Sequence, residues 1–155
     1  MLVLDVDGVL TDCRLWMDSN GEWKRFFSVR DGVGIKEISA AGYKLAIITG
    51  SVATDIRARA KMLGFDFFYE GAMDKSPSFE KLILESGLKK EEMAYVGDDI
   101  FDIPLLKNVG FGATVPEAVD EVIEVASYVT KRTGGNGAVR EICDYLLKYG
   151  FYSKA

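Results

Sequence analysis

A chain of 155 residues with 48% hydrophobic and 28% charged side chains can build one domain with a sizeable core, and its balance excludes disordered and fibrous classes. The net charge of −5 argues against a nucleic-acid partner. With no histidine in the chain, Ser-His-Asp hydrolysis, phosphohistidine chemistry and His-ligated zinc all fall away, and proton transfer near neutral pH is left to carboxylates, Lys, Tyr or Cys. The two cysteines, Cys13 and Cys143, form no CxxC pair and read as reduced thiols of a cytoplasmic protein. No leader peptide or membrane span is expected, because Asp5 interrupts the apolar N-terminus.

In chain order, residues 1–6 form a Leu/Val-rich run that ends in Asp-Gly and predicts a buried strand feeding a loop. Asn20-Gly21 between two aromatic-bearing runs predicts a hairpin over about 13–29. A helix is expected over 31–41, with Asp31 as its N-cap and Gly42 as its stop. A buried strand follows over 44–48, then a helix over 54–63 closed by Gly64 and a strand over 65–69. The pattern continues as helix 77–86, strand 93–96, short helix 103–108 and strand 109–114. Helix 116–125, strand 128–129 and helix 137–149 complete it. Strands apolar on both faces that alternate with helices imply a parallel sheet covered on both sides, an α/β doubly wound, three-layer Rossmann-like fold in a single domain over 1–155.

In such sheets ligands bind beyond the carboxyl ends of the strands, and the chemically able residues gather there. Asp5 and Asp7 end the first strand, Thr49 the second, and Asp98 and Asp99 the fourth, while Lys75 sits in the loop after the third. Residues i and i+2 of an extended chain share a side, so Asp5 and Asp7 face one small volume, where a divalent cation or a shared proton relieves their repulsion. Oxygen donors suit a hard ion such as Mg2+, with Asp98 able to complete its shell. Thr49 and the backbone at Gly50 can hold phosphate oxygens, Lys75 can balance a nucleophile and a phosphate, and Asp102, one helical turn beyond Asp98 and Asp99, can hold Lys75. Singly, each sign has a plainer reading: an Asp-Gly turn, a strand-ending turn, a solvated lysine, an acidic helix N-terminus.

As an ordered set, LVLDVDGVLTD, LAIITG, Lys75 and YVGDDIFD resemble the four motifs of the haloacid dehalogenase superfamily of phosphatases. The segments FSVRDGVGIK, GAMDK and TKRTGGNGAVREICDYLL look like its capless 3-deoxy-D-manno-octulosonate 8-phosphate phosphatase family, across essentially the whole chain, with the hairpin in place of a cap. That resemblance implies an Mg2+-dependent phosphomonoesterase acting on a sugar-acid phosphate of lipopolysaccharide biosynthesis. In it Asp5 would be the nucleophile that forms an aspartyl phosphate, Asp7 the general acid and base, and Asp5, the Asp7 carbonyl and Asp98 the metal ligands. Hairpins packed into a shared barrel would make a homotetramer. One position departs from the pattern: after Thr-Gly, octulosonate phosphatases usually carry Arg and the related 2-keto-3-deoxynononate 9-phosphate enzymes Glu, whereas this chain has Ser51. A nononate or acylneuraminate 9-phosphate substrate, or a catalytically silent domain of the kind fused to cytidylyltransferases, is the alternative.

Arg30, in SVRDG, and Arg132, in the Gly-rich 131–137 loop, are the expected contacts to a substrate carboxylate. A signalling receiver domain shares the Asp, Thr and Lys set but carries its acidic pair early and its acceptor Asp later, the reverse of this chain. A calcium loop fails on the offset of Gly8 and on the lack of a bidentate Glu at the twelfth position.

Overall fold

Strands and helices alternate along residues 1–150, the part of the chain that the computed structural model describes. Six parallel strands form one sheet: β1 (Leu2–Leu4), β4 (Leu45–Ile48), β5 (Phe67–Tyr69), β6 (Ala94–Val96), β7 (Phe111–Thr114) and β8 (Tyr128–Val129). Their spatial order is β5-β4-β1-β6-β7-β8. The chain therefore winds outward from β1 on one side, returns, and winds out on the other, which puts the topological switch point between β1 and β6. The doubly wound three-layer α/β fold expected from the sequence is the one observed.

The period-2 alternation of a strand explains the two cores. Leu2 and Leu4, Leu45 and Ile47, and Ala94 and Val96 face α1 (Val29–Ala40), α2 (Thr54–Leu63) and α6 (Ala138–Tyr149), packing with Ile35, Ile38, Ile56 and Ile142. Val3, Ala46, Ile48 and Tyr95 face the other layer, α3 (Ser76–Ser86), α4 (Ile103–Leu106) and α5 (Asp120–Val125), packing with Phe79, Leu82, Leu105 and Val122. Both faces being buried is why these strands carry almost no polar residue until they end.

The helix expected over 103–108 ends at Leu106 and the strand expected over 109–114 starts at Phe111, and three further expectations differ for a visible physical reason. Asp31 does not cap α1: Ser28 does, its Oγ accepting from the Asp31 backbone N–H. Asp31 lies two residues inside the helix, and its buried carboxylate accepts the N–H groups of Gly137 and Arg140, so it satisfies the start of α6. The helix expected from Pro116 begins at Asp120, because the preceding segment crosses the acidic loop and Val119 N–H donates to the Asp98 carbonyl. The 65–69 strand starts at Phe67, since Asp66 turns its carboxylate onto the Leu45 N–H.

The hairpin stands apart from the main sheet as β2 (Trp16–Met17) and β3 (Trp23–Lys24). Its turn is set by Asp18, whose carboxylate accepts from Asn20 and Glu22, and by Gly21 at φ +78°. Leu15, Trp16, Met17, Trp23 and Phe26 remain exposed, with Trp16 stacked on Phe26 at 6.1 Å.

Candidate active site

Asp5 is the last residue of the first strand still in register, its N–H donating to the Val96 carbonyl of β6. The chain then coils so tightly that the N–H groups of Val9, Leu10 and Thr11 all aim at the Val6 carbonyl. Gly8 holds φ +87°, and a Cβ there would collide with the Asp98 carboxylate, so only glycine lets the first and fourth strand-end loops close on each other.

Four ionisable groups meet beneath that loop. Lys75, immediately before α3 and 4% exposed, places Nζ 3.0 Å from Asp5 Oδ1 and 2.5 Å from Asp102 Oδ1. Asp102 is fully buried: Oδ1 also accepts from the Tyr95 hydroxyl at 2.5 Å, and Oδ2 from the Asp98 and Asp99 N–H groups at 2.9 and 3.0 Å. A carboxylate this saturated acts as a staple, pinning the Gly-Asp-Asp loop and aiming Lys75 at Asp5. Tyr95 was not among the residues singled out in the sequence. A tyrosine inside a fully buried strand needs a polar partner for its hydroxyl, which is the signal that could have found it.

The electrostatics follow from this crowding. Burial raises the Asp5 carboxyl to about 7, with Lys75 opposing and Asp102 adding to the rise. Asp98 is raised to about 8 by burial and by the charges of Asp5 and Asp102. Burial alone would discharge Lys75, but Asp5 and Asp102 outweigh it and keep the ammonium charged. Oxygens of Asp5, Asp98 and Asp102 converge within 4.8 Å of one another, and Asp98 Oδ1 is buried with no hydrogen-bond partner. An all-oxygen, charge-repelled set with an orphaned carboxylate oxygen fits a hard divalent cation. Asp102 is consumed by its own bonds, which leaves Asp5 and Asp98 as the side chains free to ligate.

Thr49 ends β4, buried, its Oγ1 accepting the Ser51 N–H at 3.2 Å, with Gly50 half-buried between them. Asp99 is exposed and caps the short turn after it, outside the cluster. Asp7 departs most from a bare proton-transfer group: its oxygens receive Arg25 at 2.6 and 3.0 Å and Ser51 Oγ at 2.7 Å. Burial pushes its pKa up, but these hydrogen bonds and the Arg25 charge win and hold it below the usual carboxylate range.

The 131–137 loop lies against the Asp7 loop. Gly135 N–H donates to the Val9 carbonyl at 3.0 Å, and a Cβ on Gly134 would strike the Gly8 carbonyl. Arg30 and Arg132 come together not at Asp5 but around a neighbouring cavity of about 510 Å3, also lined by Gly137, Arg140, Glu141 and Asp144.

The haloacid dehalogenase-like hydrolase family matches residues 22–110. 3-Deoxy-D-manno-octulosonate 8-phosphate phosphatase KdsC of Escherichia coli strain K12 is 43% identical over 147 residues, 95% of this chain and 78% of the relative. The chain belongs to this family of haloacid dehalogenase-like phosphatases. Solved structures agree. The octulosonate 8-phosphate phosphatase of Moraxella catarrhalis, in complex with magnesium, phosphate and the free sugar acid, superposes with a TM-score of 0.92 at 38% identity, covering 95% of this chain and 84% of that one. The Yersinia pestis enzyme gives a TM-score of 0.93 at 39% identity, covering 96% and 80%. In this haloacid dehalogenase-like phosphatase the cluster lies at the carboxyl ends of the parallel strands, the edge on which such sheets bind their ligands.

Proposed function

We propose that the chain hydrolyses 3-deoxy-D-manno-octulosonate 8-phosphate, or a close sugar-acid phosphate, through Asp5. The carrying observation is the buried Asp5–Lys75–Asp102 triad beside the orphaned Asp98 oxygen; the octulosonate 8-phosphate phosphatase relatives support the substrate class.

Asp5 attacks phosphorus in line and the ester oxygen leaves. Lys75 and Thr49, with the Gly50 backbone, hold the transferring oxygens. Asp7 gives the leaving oxygen its proton, then takes one from the water that cleaves the aspartyl phosphate. Mg2+ held by Asp5, the Asp7 carbonyl and Asp98 would screen carboxylate from phosphate. Spontaneous hydrolysis of monoesters is so slow that such a site supplies roughly 20 kcal/mol, mostly as charge placed before the reaction begins.

Arg30 and Arg132 support the sugar-acid reading, because both residues line one cavity. Arg30→Ala or Arg132→Ala is expected to raise KM for the sugar-acid phosphate by about tenfold or more, the loss of one charged hydrogen bond, and to change KM for p-nitrophenyl phosphate less than about twofold. Equal effects on both substrates would assign these arginines to the fold or the phosphate instead. Ser51 keeps a nononate or acylneuraminate 9-phosphate as the second reading. A turnover screen over the octulosonate 8-phosphate and both 9-phosphates decides between them, and no turnover of any would mean a silent domain.

The hairpin supports a homotetramer. Trp16, Trp23 and Phe26 are 45%, 55% and 66% exposed, more aromatic surface than an isolated hairpin leaves in water. Light scattering at micromolar concentration is expected to give four times the mass of one chain; a monomer would reject the assembly. Free Cys13 and Cys143 suit a cytoplasmic setting, and among the described residues no helix is long and apolar enough to cross a membrane.

A further inference from the structure

The hairpin sends one side chain into the reaction centre. Arg25 directly follows β3, and its side chain is only 5% exposed. Nε donates to Asp7 Oδ1 at 2.6 Å and one terminal nitrogen to Asp7 Oδ2 at 3.0 Å, a two-pronged fork on the carboxylate. The same terminal nitrogen donates to Ser51 Oγ at 3.1 Å, and Ser51 Oγ donates to Asp7 Oδ2 at 2.7 Å, so the three groups form a closed ring. Arg25 is itself tethered: its backbone N–H donates to Asp55 Oδ2 at 2.8 Å, and its second terminal nitrogen reaches Asp55 Oδ1 at 3.3 Å. Asp55 lies in the first turn of α2, so the fork is braced by the main fold as well as by the hairpin.

A carboxylate on a coiled loop has two free torsions, and proton transfer demands one orientation. A single point charge would attract Asp7 without fixing its plane; a planar fork fixes both.

We propose that Arg25 is a positioning residue for Asp7, the hairpin serving as the arm that orients the proton-transferring carboxylate. This rests on the reading of Asp7 given above. The prediction concerns Arg25→Ala and Arg25→Lys in the full chain with Mg2+. On the sugar-acid phosphate, Arg25→Ala is expected to lower kcat by about 100-fold, the usual consequence of misplacing a reacting group by about an ångström, with KM within about threefold. Arg25→Lys keeps the charge but not the fork and should recover less than about a tenth of the lost rate. In an Asp7→Asn background, single-turnover phosphorylation of Asp5 by p-nitrophenyl phosphate should change less than about twofold on adding Arg25→Ala, because a residue that acts through Asp7 has nothing left to orient.

Unchanged kcat in both Arg25 variants, or the same loss with and without the Asp7 carboxylate, overturns the inference. Full turnover by Asp7→Asn alone would overturn the reading of Asp7 and the inference with it. Turnover lost in Asp7→Asn but kept in the Arg25 variants would overturn only the inference. If Arg25→Ala fails to show the parent's thermal transition, Arg25→Lys, which retains a cation for Asp55, decides the matter.

Discussion

Asp5→Asn is expected to lower kcat by about 10^4-fold or more while the chain folds as before. The backbone at residue 5 contributes only its N–H to the sheet, and the substitution leaves that bond to Val96 intact. Asparagine fills the same volume, and its carbonyl oxygen can still accept from Lys75, 3.0 Å from the present carboxylate. The nucleophilic charge is what disappears. Because burial raises the Asp5 carboxyl to about 7, and its charge helps raise Asp98 to about 8, removing that charge relieves repulsion. The variant should therefore melt no lower than the parent when both are metal-free. Steady-state turnover and thermal unfolding check both halves, and full activity in Asp5→Asn would sink the assignment of the nucleophile.

Chelation is expected to remove turnover altogether, Mg2+ to restore it, and Ca2+ to inhibit, since calcium's looser and higher coordination spoils the in-line geometry. The same carboxylates set a pH signature. Asp5 and Asp98 titrate at about 7 and about 8 in the fold, but near 4 in the unfolded chain. Between about pH 4 and 8 the folded, metal-free protein thus holds more protons than the unfolded one, and the stability these groups allow is lost as pH rises through that window. A cation that replaces those protons reverses the loss. Mg2+ should raise Tm more at pH 8 than at pH 5, because at pH 5 it must compete with protons for the same oxygens. Turnover undiminished in metal-free enzyme, or a Tm gain that is larger in acid, would contradict the metal site.

Strand ends were legible because their cause is local. Val-Leu-Asp, Ile-Ile-Thr and Val-Gly-Asp are buried runs that stop at a polar residue, and parallel strands of one sheet must stop on the same edge. Helix boundaries were less so. Asp31 looks like a cap by residue type, but Ser28 takes that place, and its carboxylate serves α6, more than a hundred residues on. Pro116 permits a helix start, but the bond from Val119 to Asp98 delays it to Asp120.

The sequence by itself determined the doubly wound sheet, the carboxylates, Thr and Lys at its edge, and the hard-cation character of their oxygens, since each depends on periodicity or residue chemistry within one element. Only the tertiary structure decided that Arg25 forks Asp7, that Asp102, besides holding Lys75 as expected, spends its other acceptors on Tyr95 and its own loop, and that Arg30 meets Arg132 around a separate cavity. Those pairings depend on how a hairpin and two loops fold back over the sheet, and contacts between groups distant in sequence leave no local pattern for a reader to follow.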